Sequence, residues 1–304
     1  MSTILPEIKA LGTVWWIEIF TDLDDKRTET VYDGLGSFID IFEAKYSRFK
    51  PDSLITKLNT TGILENPDQM TIEILKYGQD LYRQTDGLFN FLIGEILENR
   101  GYDALYSFKI KETKVKIPNP LTDLEINDDK IILKSGRVDL GGFGKGYLVD
   151  LLSVELKNIY QLPYFLINGG GDIYASSDNG EPVEIYLEHP IQTGTFIGST
   201  TLLNQGFAAS SPHKRQWKIK DKTYNHIVNT TQKNDSDNSD DKNNGIDGTF
   251  VKAETVAKAD AFATVFLLIN PNQIHKIATG NKVKACYLLD NKLLTERGFN
   301  HILP

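Results

Sequence analysis

Apolar positions along the chain follow two periodicities. Gly12 to Thr21 is rich in β-branched and aromatic residues and reads as a strand, closed by a polar turn at Asp22 to Arg27. Val31, Leu35, Phe38, Ile39, Phe42 and Tyr46 then recur at three- and four-residue intervals, which places them on one helix face against the opposing influence of Gly34 and Gly36. Ile72, Leu75, Leu81 and Tyr82 share a face in the same way and predict a helix over Thr71 to Thr85. Strand-type runs follow at Ser107 to Ile117 and at Leu124 to Leu133, the latter turned by Asn127-Asp128-Asp129. The glycine cluster Gly141 to Gly146 opens a helix predicted from Tyr147 to Ile159. From Tyr164 to Ile227 short β-type runs alternate with Gly, Asn, Ser and Pro, the pattern of a meandering sheet. Lys258 to Ile269 predicts a helix that buries Ala259, Phe262, Ala263, Phe266 and Leu267. Ile274 to Ile277 and Lys284 to Leu289 close the chain as helix and strand.

One segment breaks the pattern. Residues 232–248 are almost devoid of apolar side chains and cannot offset the entropy of ordering, so a mobile acidic loop is expected there. The loop is no calcium site: counting from Asp235, Asp240 stands where the turn needs glycine and Ile246 where it needs glutamate.

Length, charge and cysteine content narrow the classes further. The 304 residues suffice for a large core and need no disulfide or metal staple. A net charge of −8 offers no general attraction to phosphate backbones or anionic lipid, so nucleic acid and membrane surfaces are poor partners. The single Cys286 excludes an internal disulfide and a multi-thiolate zinc site. No apolar window approaches the roughly twenty residues of a membrane span. The amino terminus carries neither a basic leader nor a cysteine for lipidation, and the chain as written is expected in the cytoplasm, exported only if a leader is missing.

Three features carry candidate chemistry. Gly141-Gly142-Phe143-Gly144-Lys145-Gly146 can turn backbone N–H groups and a lysine toward an oxyanion, yet Asp139 and Gly146 break a Walker loop and Tyr147 breaks the dinucleotide spacing. On these residues alone a tight strand-to-helix turn serves equally well. Asp260 and Thr264, four apart, project oxygens from one helix face as a hard cation requires, and Asp260 suits helix capping as well. His226 lies at the end of the run Tyr224 to Val228, where it could take a proton from a substrate hydroxyl or serve structure. No nucleophile elbow or Ser/His/Asp arrangement is present.

The order of these features along the chain resembles the FAD:protein FMN transferase family, the ApbE-type flavin transferases. The matching segments are Leu11-Gly12-Thr13, Tyr46 to Ser53 with Leu58-Asn59, Thr85 to Asn90, and Val138 to Asp150. They continue with Ile167 to Asp172, Ala209 to Ser211, Asn225 to Val228, and Ala259-Asp-Ala-Phe-Ala-Thr264. The resemblance implies an α+β fold of mixed sheets flanked by helices, with a cofactor cleft between two interleaved lobes, in one domain over residues 1–304. It implies transfer of the FMN moiety of FAD, with Mg²⁺, to a Ser or Thr hydroxyl of an acceptor protein, releasing AMP. By matched position the cation falls to Asp260, Thr264 and the Gly142 carbonyl, and the acceptor proton to His226. Lys145 and Asp139 match FAD contacts, as do Leu11, Phe49, Leu88, Phe89, Asn90 and Ile227. Phe49 supplies an aromatic face for the flavin ring. Two departures stand out. Asn229-Thr230-Thr231-Gln232 replaces the usual Asp-Pro-x-Thr-Gly after the His segment, and Asn90 replaces an aspartate. The alternatives are therefore an FAD-binding protein without transfer, or a pyrophosphatase giving FMN and AMP. The chain lacks the family's acceptor motif, so the acceptor is expected to be another protein.

Overall fold

The computed structural model describes residues 2–111, 115–214, 216–219, 222–230, 244–296 and 298–300. The chain enters through β1 (Thr3–Ile4), β2 (Ile8–Ala10) and β3 (Thr13–Ile19), then α1 (Asp25–Tyr46) and α2 (Leu54–Thr61). Next come β4 (Ile63–Glu65), α3 (Gln69–Gln84), α4 (Gly94–Asn99), α5 (Pro120–Asp123), β5 (Leu124–Ile126) and β6 (Lys130–Leu133). The central helix α6 (Gly144–Asn158) leads into β7 (Phe165–Gly169), β8 (Asp172–Ser176), β9 (Val183–Glu188), β10 (Phe196–Leu202) and β11 (Gln205–Ser210). After β12 (Gln216–Ile219), β13 (Lys222–Asn225) and β14 (Ile246–Ala253), the chain ends in α7 (Val256–Leu268), α8 (Pro271–Gly280), β15 (Lys284–Leu289) and β16 (Lys292–Thr295).

Most strands join one antiparallel sheet, ordered β1-β3-β7-β8-β11-β14-β15-β16, with β2 also paired to β3. Both faces of this sheet are covered, and its side chains alternate accordingly. On β7, Phe165 and Ile167 join the main core beneath the helices, whereas Leu166 joins a second cluster with Ile185 and Leu187 of β9. Val251 and Ala285 face the first core, and Phe250 and Cys286 the second. A third cluster, Ile96, Leu97, Tyr102, Trp217 and Val228, lies apart from both.

The periodic helices appear as α1, α3, α6 and α7, and all but α6 start at a side-chain cap that the apolar pattern does not register. Asp24, Asp68 and Thr255 accept from the backbone N–H of Arg27, Thr71 and Lys258. Gly34 belongs in α1 because a side chain there would meet the Tyr160 hydroxyl. Ser107 to Ile117 is no strand among its described residues; Val115 and Ile117 instead pack on the third cluster without a pairing partner. Of the expected loop, residues 232–243 lie outside the described residues, and Ile246 to Gly248 already belong to β14. Among the described residues no helix is long and apolar enough to cross a membrane.

Candidate active site

The glycine run folds into a turn fixed from three sides. Asn59 on α2 donates to the Val138 carbonyl at 2.9 Å and accepts the Val138 N–H at 2.7 Å, while Asp139 N–H donates to Phe91 O at 2.7 Å. The fully buried Phe143 anchors the far end among the rings of Tyr77, Phe89 and Phe91. At Gly142 a Cβ would stand 3.0 Å from the Phe89 ring, close enough that the ring would have to give way. The turn delivers Lys145 into the first turn of α6.

Lys145 meets two buried carboxylates there. Its ammonium donates to Asp172 Oδ2 at 2.5 Å and stands 3.5 Å from Asp260 Oδ2. Asp172 opens β8 after a glycine turn in which Gly170 has φ +78° and a Cβ would lie 2.1 Å from Thr13 Oγ1. Asp260 and Thr264 come from α7, one turn apart on the same side. Burial pushes the Asp260 carboxyl upward and the neighbouring Asp172 carboxylate adds to this, against the pull of Lys145. Asp260 Oδ2 is buried and makes no well-formed hydrogen bond, its nearest cation being the Lys145 ammonium at 3.5 Å.

These groups open onto a cavity of about 820 Å³ between the main sheet and the third cluster. Its lining brings together Asp139, Gly142, Lys145, Asp260 and Thr264 with Phe49, Leu88, Phe89, Asn90, His226 and Ile227. Leu11 is not part of that lining; it occupies the β2–β3 turn with φ 53°, its N–H held by Glu43 Oε1 at 3.0 Å. His226 follows β13, which ends at Asn225, and is half-buried; Asn225 Oδ1 accepts the Ile227 N–H at 2.8 Å and sets the turn beside it. Asn90 spends its amide on the backbone, donating to Pro118 O at 2.8 Å and accepting Leu92 N–H at 2.9 Å. An ionised aspartate could not donate to Pro118, which gives the amide a local reason. The Phe49 ring carries the Arg48 guanidinium 4.2 Å from its centroid and the nearly parallel Tyr106 ring at 5.5 Å.

Two functional partners escape a reading by residue type. Arg48, with 4 % of its side chain exposed, donates to Asp139 Oδ2 at 2.5 Å and to the Tyr102 carbonyl at 3.0 Å, and lies 3.7 Å from Glu98. Asp172 is 2 % exposed. Both sit inside the matched segments Tyr46 to Ser53 and Ile167 to Asp172, and that placement is the one signal that could have raised them.

Comparison with known proteins places the family and the fold. Residues 11–288 match the model of the ApbE family. The chain is 23 % identical over 317 residues to the FAD:protein FMN transferase of Haemophilus influenzae, covering 96 % of this chain and 86 % of that protein. A second FAD:protein FMN transferase, from Buchnera aphidicola, is 22 % identical over 72 % of this chain and 66 % of its own length. In fold, the chain superposes on the ApbE protein of Thermotoga maritima with a TM-score of 0.84 at 19 % identity, over 98 % of this chain and 97 % of that one. It superposes on the flavin transferase ApbE of Vibrio cholerae at 0.76 and 18 % identity, over 98 % of each. With its motifs in order, its cleft built from them and the family model spanning nearly its whole length, this chain belongs to the ApbE family.

Proposed function

We propose that this protein transfers the FMN moiety of FAD to a Ser or Thr hydroxyl of an acceptor protein and releases AMP. The observation that carries the reading is the convergence of His226, Lys145 and the pair Asp260 and Thr264 on one cavity, though they are far apart in sequence. Relatives named FAD:protein FMN transferase support the transfer of FMN from FAD to a protein.

The donor set suits Mg²⁺. A carboxylate, a hydroxyl and the Gly142 carbonyl are hard oxygen donors, and the buried Asp260 Oδ2, which makes no well-formed hydrogen bond and has only the Lys145 ammonium at 3.5 Å beside it, keeps lone pairs for a cation. No cluster of three or more His, Cys, Asp or Glu able to hold a metal exists among the described residues, so an ion here would have to take its other ligands from water and substrate phosphate. When bound, Mg²⁺ supplies charge neutralisation on the pyrophosphate oxygens.

The chain's own residues do the rest. Lys145 presents its ammonium to the phosphates, held in place by Asp172. Arg48 and the Gly141 N–H fix the Asp139 carboxylate at the cavity wall. His226 takes the proton as the acceptor oxygen bonds to the FMN-side phosphorus, and the P–O bond to AMP breaks with its electron pair leaving on AMP. The apolar wall of Leu88, Phe89, Ile227 and Phe49 excludes water that would otherwise compete with the hydroxyl.

Incubation with FAD, Mg²⁺ and an acceptor domain bearing the Ser/Thr motif tests the reading by flavin fluorescence on a denaturing gel. A fluorescent acceptor band that EDTA and Asp260→Ala each abolish is expected. A band of equal intensity in Asp260→Ala overturns the metal assignment.

A further inference from the structure

Three carboxylates lie where α6 meets the start of α7, Asp172 and Asp260 buried and Asp150 half-buried, and the mechanism above uses the first two. The third, Asp150, lies on α6 and reaches neither the cavity nor Lys145 through any bond the site requires. Its two oxygens go instead to the neighbouring helix: Oδ1 accepts the Val256 N–H at 2.8 Å and Oδ2 the Ala257 N–H at 2.9 Å. These are the first two residues of α7. The helix's own cap, Thr255, serves the next amide, Lys258 N–H, at 3.3 Å. Asp150 therefore supplies acceptors that the local sequence of α7 lacks.

One turn earlier on the same face of α6 is Gly146. A Cβ there would stand 2.7 Å from the Val256 carbonyl oxygen and 2.8 Å from Ala257 N and Cα. From the opposite side β11 presses equally close, since a Cβ at Gly206 would stand 2.4 Å from Val256 N. The first turn of α7 is thus held between two side-chain-free stretches of backbone and tied down by a carboxylate. Ala257 precedes Asp260 by less than one turn.

We propose that Gly146 and Asp150 form a clamp that sets the register of α7 against α6, with Asp150 a positioning residue for the cation pair Asp260 and Thr264. The inference rests on the metal reading given above. The clamp also joins the two halves of the site: α6 begins with Lys145 and α7 carries Asp260, so one contact fixes the lysine relative to the carboxylate it shares with the ion. A shift of a few tenths of an ångström at Val256 moves Asp260 with it, because a helix transmits displacement along its length as a stiff rod.

The test is a graded series, Asp150→Asn, Asp150→Ala and Gly146→Ala, in the full-length protein. Asn keeps one acceptor for the two amides and Ala keeps none. Two readouts are taken: the Mg²⁺ concentration at half-maximal thermal stabilisation in the presence of FAD, and FAD affinity without Mg²⁺ by flavin fluorescence. Circular dichroism confirms that each variant is folded. Expected is a Mg²⁺ midpoint raised about tenfold in Asp150→Ala, less in Asp150→Asn, the range found for groups that orient metal ligands from behind. FAD affinity without Mg²⁺ is expected to stay within about twofold across the series. A lower melting temperature with an unchanged Mg²⁺ midpoint in the folded variants overturns the clamp and leaves Asp150 a plain helix cap. A wild-type protein with no Mg²⁺ response overturns the metal reading itself and takes this inference with it.

Discussion

Replacing Lys145 by methionine separates the lysine's two tasks, because it should act on stability and on catalysis in different ways. The ammonium stands 2.5 Å from one carboxylate and 3.5 Å from a second, with Asp172 2 % and Asp260 7 % exposed. At an effective dielectric near 20, a single charge pair at the longer separation is worth about 5 kcal/mol before desolvation. Removing one member of a buried pair costs about 3–5 kcal/mol, since the partner remains uncompensated. Asp260 can relieve part of this by taking a proton, as its carboxyl is already raised by burial. A loss of about 3 kcal/mol is therefore expected in EDTA, read as the change in urea midpoint at constant slope. Mg²⁺ should return more stability to the variant than to the wild type, because Lys145 no longer competes for Asp260; a tenfold gain in affinity adds about 1.4 kcal/mol at saturation. Transfer should nevertheless fall by at least about a hundredfold, for want of the charge on the phosphates. Equal Mg²⁺ stabilisation of both proteins would refute the competition between lysine and cation. Unchanged stability in EDTA would refute the buried triad.

Two pH effects follow from other buried groups. Lys252 on β14 is 3 % exposed, donates to Thr200 Oγ1 at 2.9 Å and is lowered to about 8, first by burial and then by Lys284. Its folded value lies below its unfolded one, so stability rises with pH between them: from about pH 7.5 to about pH 10 the wild type should gain about 2 kcal/mol relative to Lys252→Met, and a parallel pair of urea-stability curves would contradict this. Burial raises Asp260 in the free protein, so Mg²⁺ binding should release part of a proton and tighten as pH rises. Calorimetry in buffers of different ionisation enthalpy should detect proton release on binding, and its absence together with a flat pH dependence would count against Asp260 as a ligand.

The amphipathic helices could be read from the chain because their signal is local: the buried Val31, Leu35, Ile39, Phe42 and Tyr46 of α1 repeat at helical spacing. The eight-residue α2 has too few turns for a period to emerge, although Ser53 marks its start by accepting the Thr56 N–H. Strand order is a matter of remote pairing, and nothing near Trp15 announces that it will lie opposite Gly169. The run from Ser107 to Ile117 has a strand's composition, yet its described residues join no sheet, and composition cannot tell the two apart. In the site, side chains that line the cavity were legible through motif order, while the charged residues packed behind them were not. Arg48 and Asp172, and in part Asp150, are charged residues whose burial depends on what packs around them, and residue type alone assigns such residues to the surface. Leu11 shows the converse, a matched position that the fold places outside the cavity lining.

The central claim concerns a bond, and mass spectrometry reads it directly. Protein, FAD, Mg²⁺ and an acceptor domain are combined, and the intact acceptor mass is followed alongside AMP and free FMN. The account expects an acceptor heavier by FMN less water, one AMP for each adduct, and loss of both in His226→Ala. AMP with free FMN and an acceptor of unchanged mass would contradict it and identify water as the group that attacks.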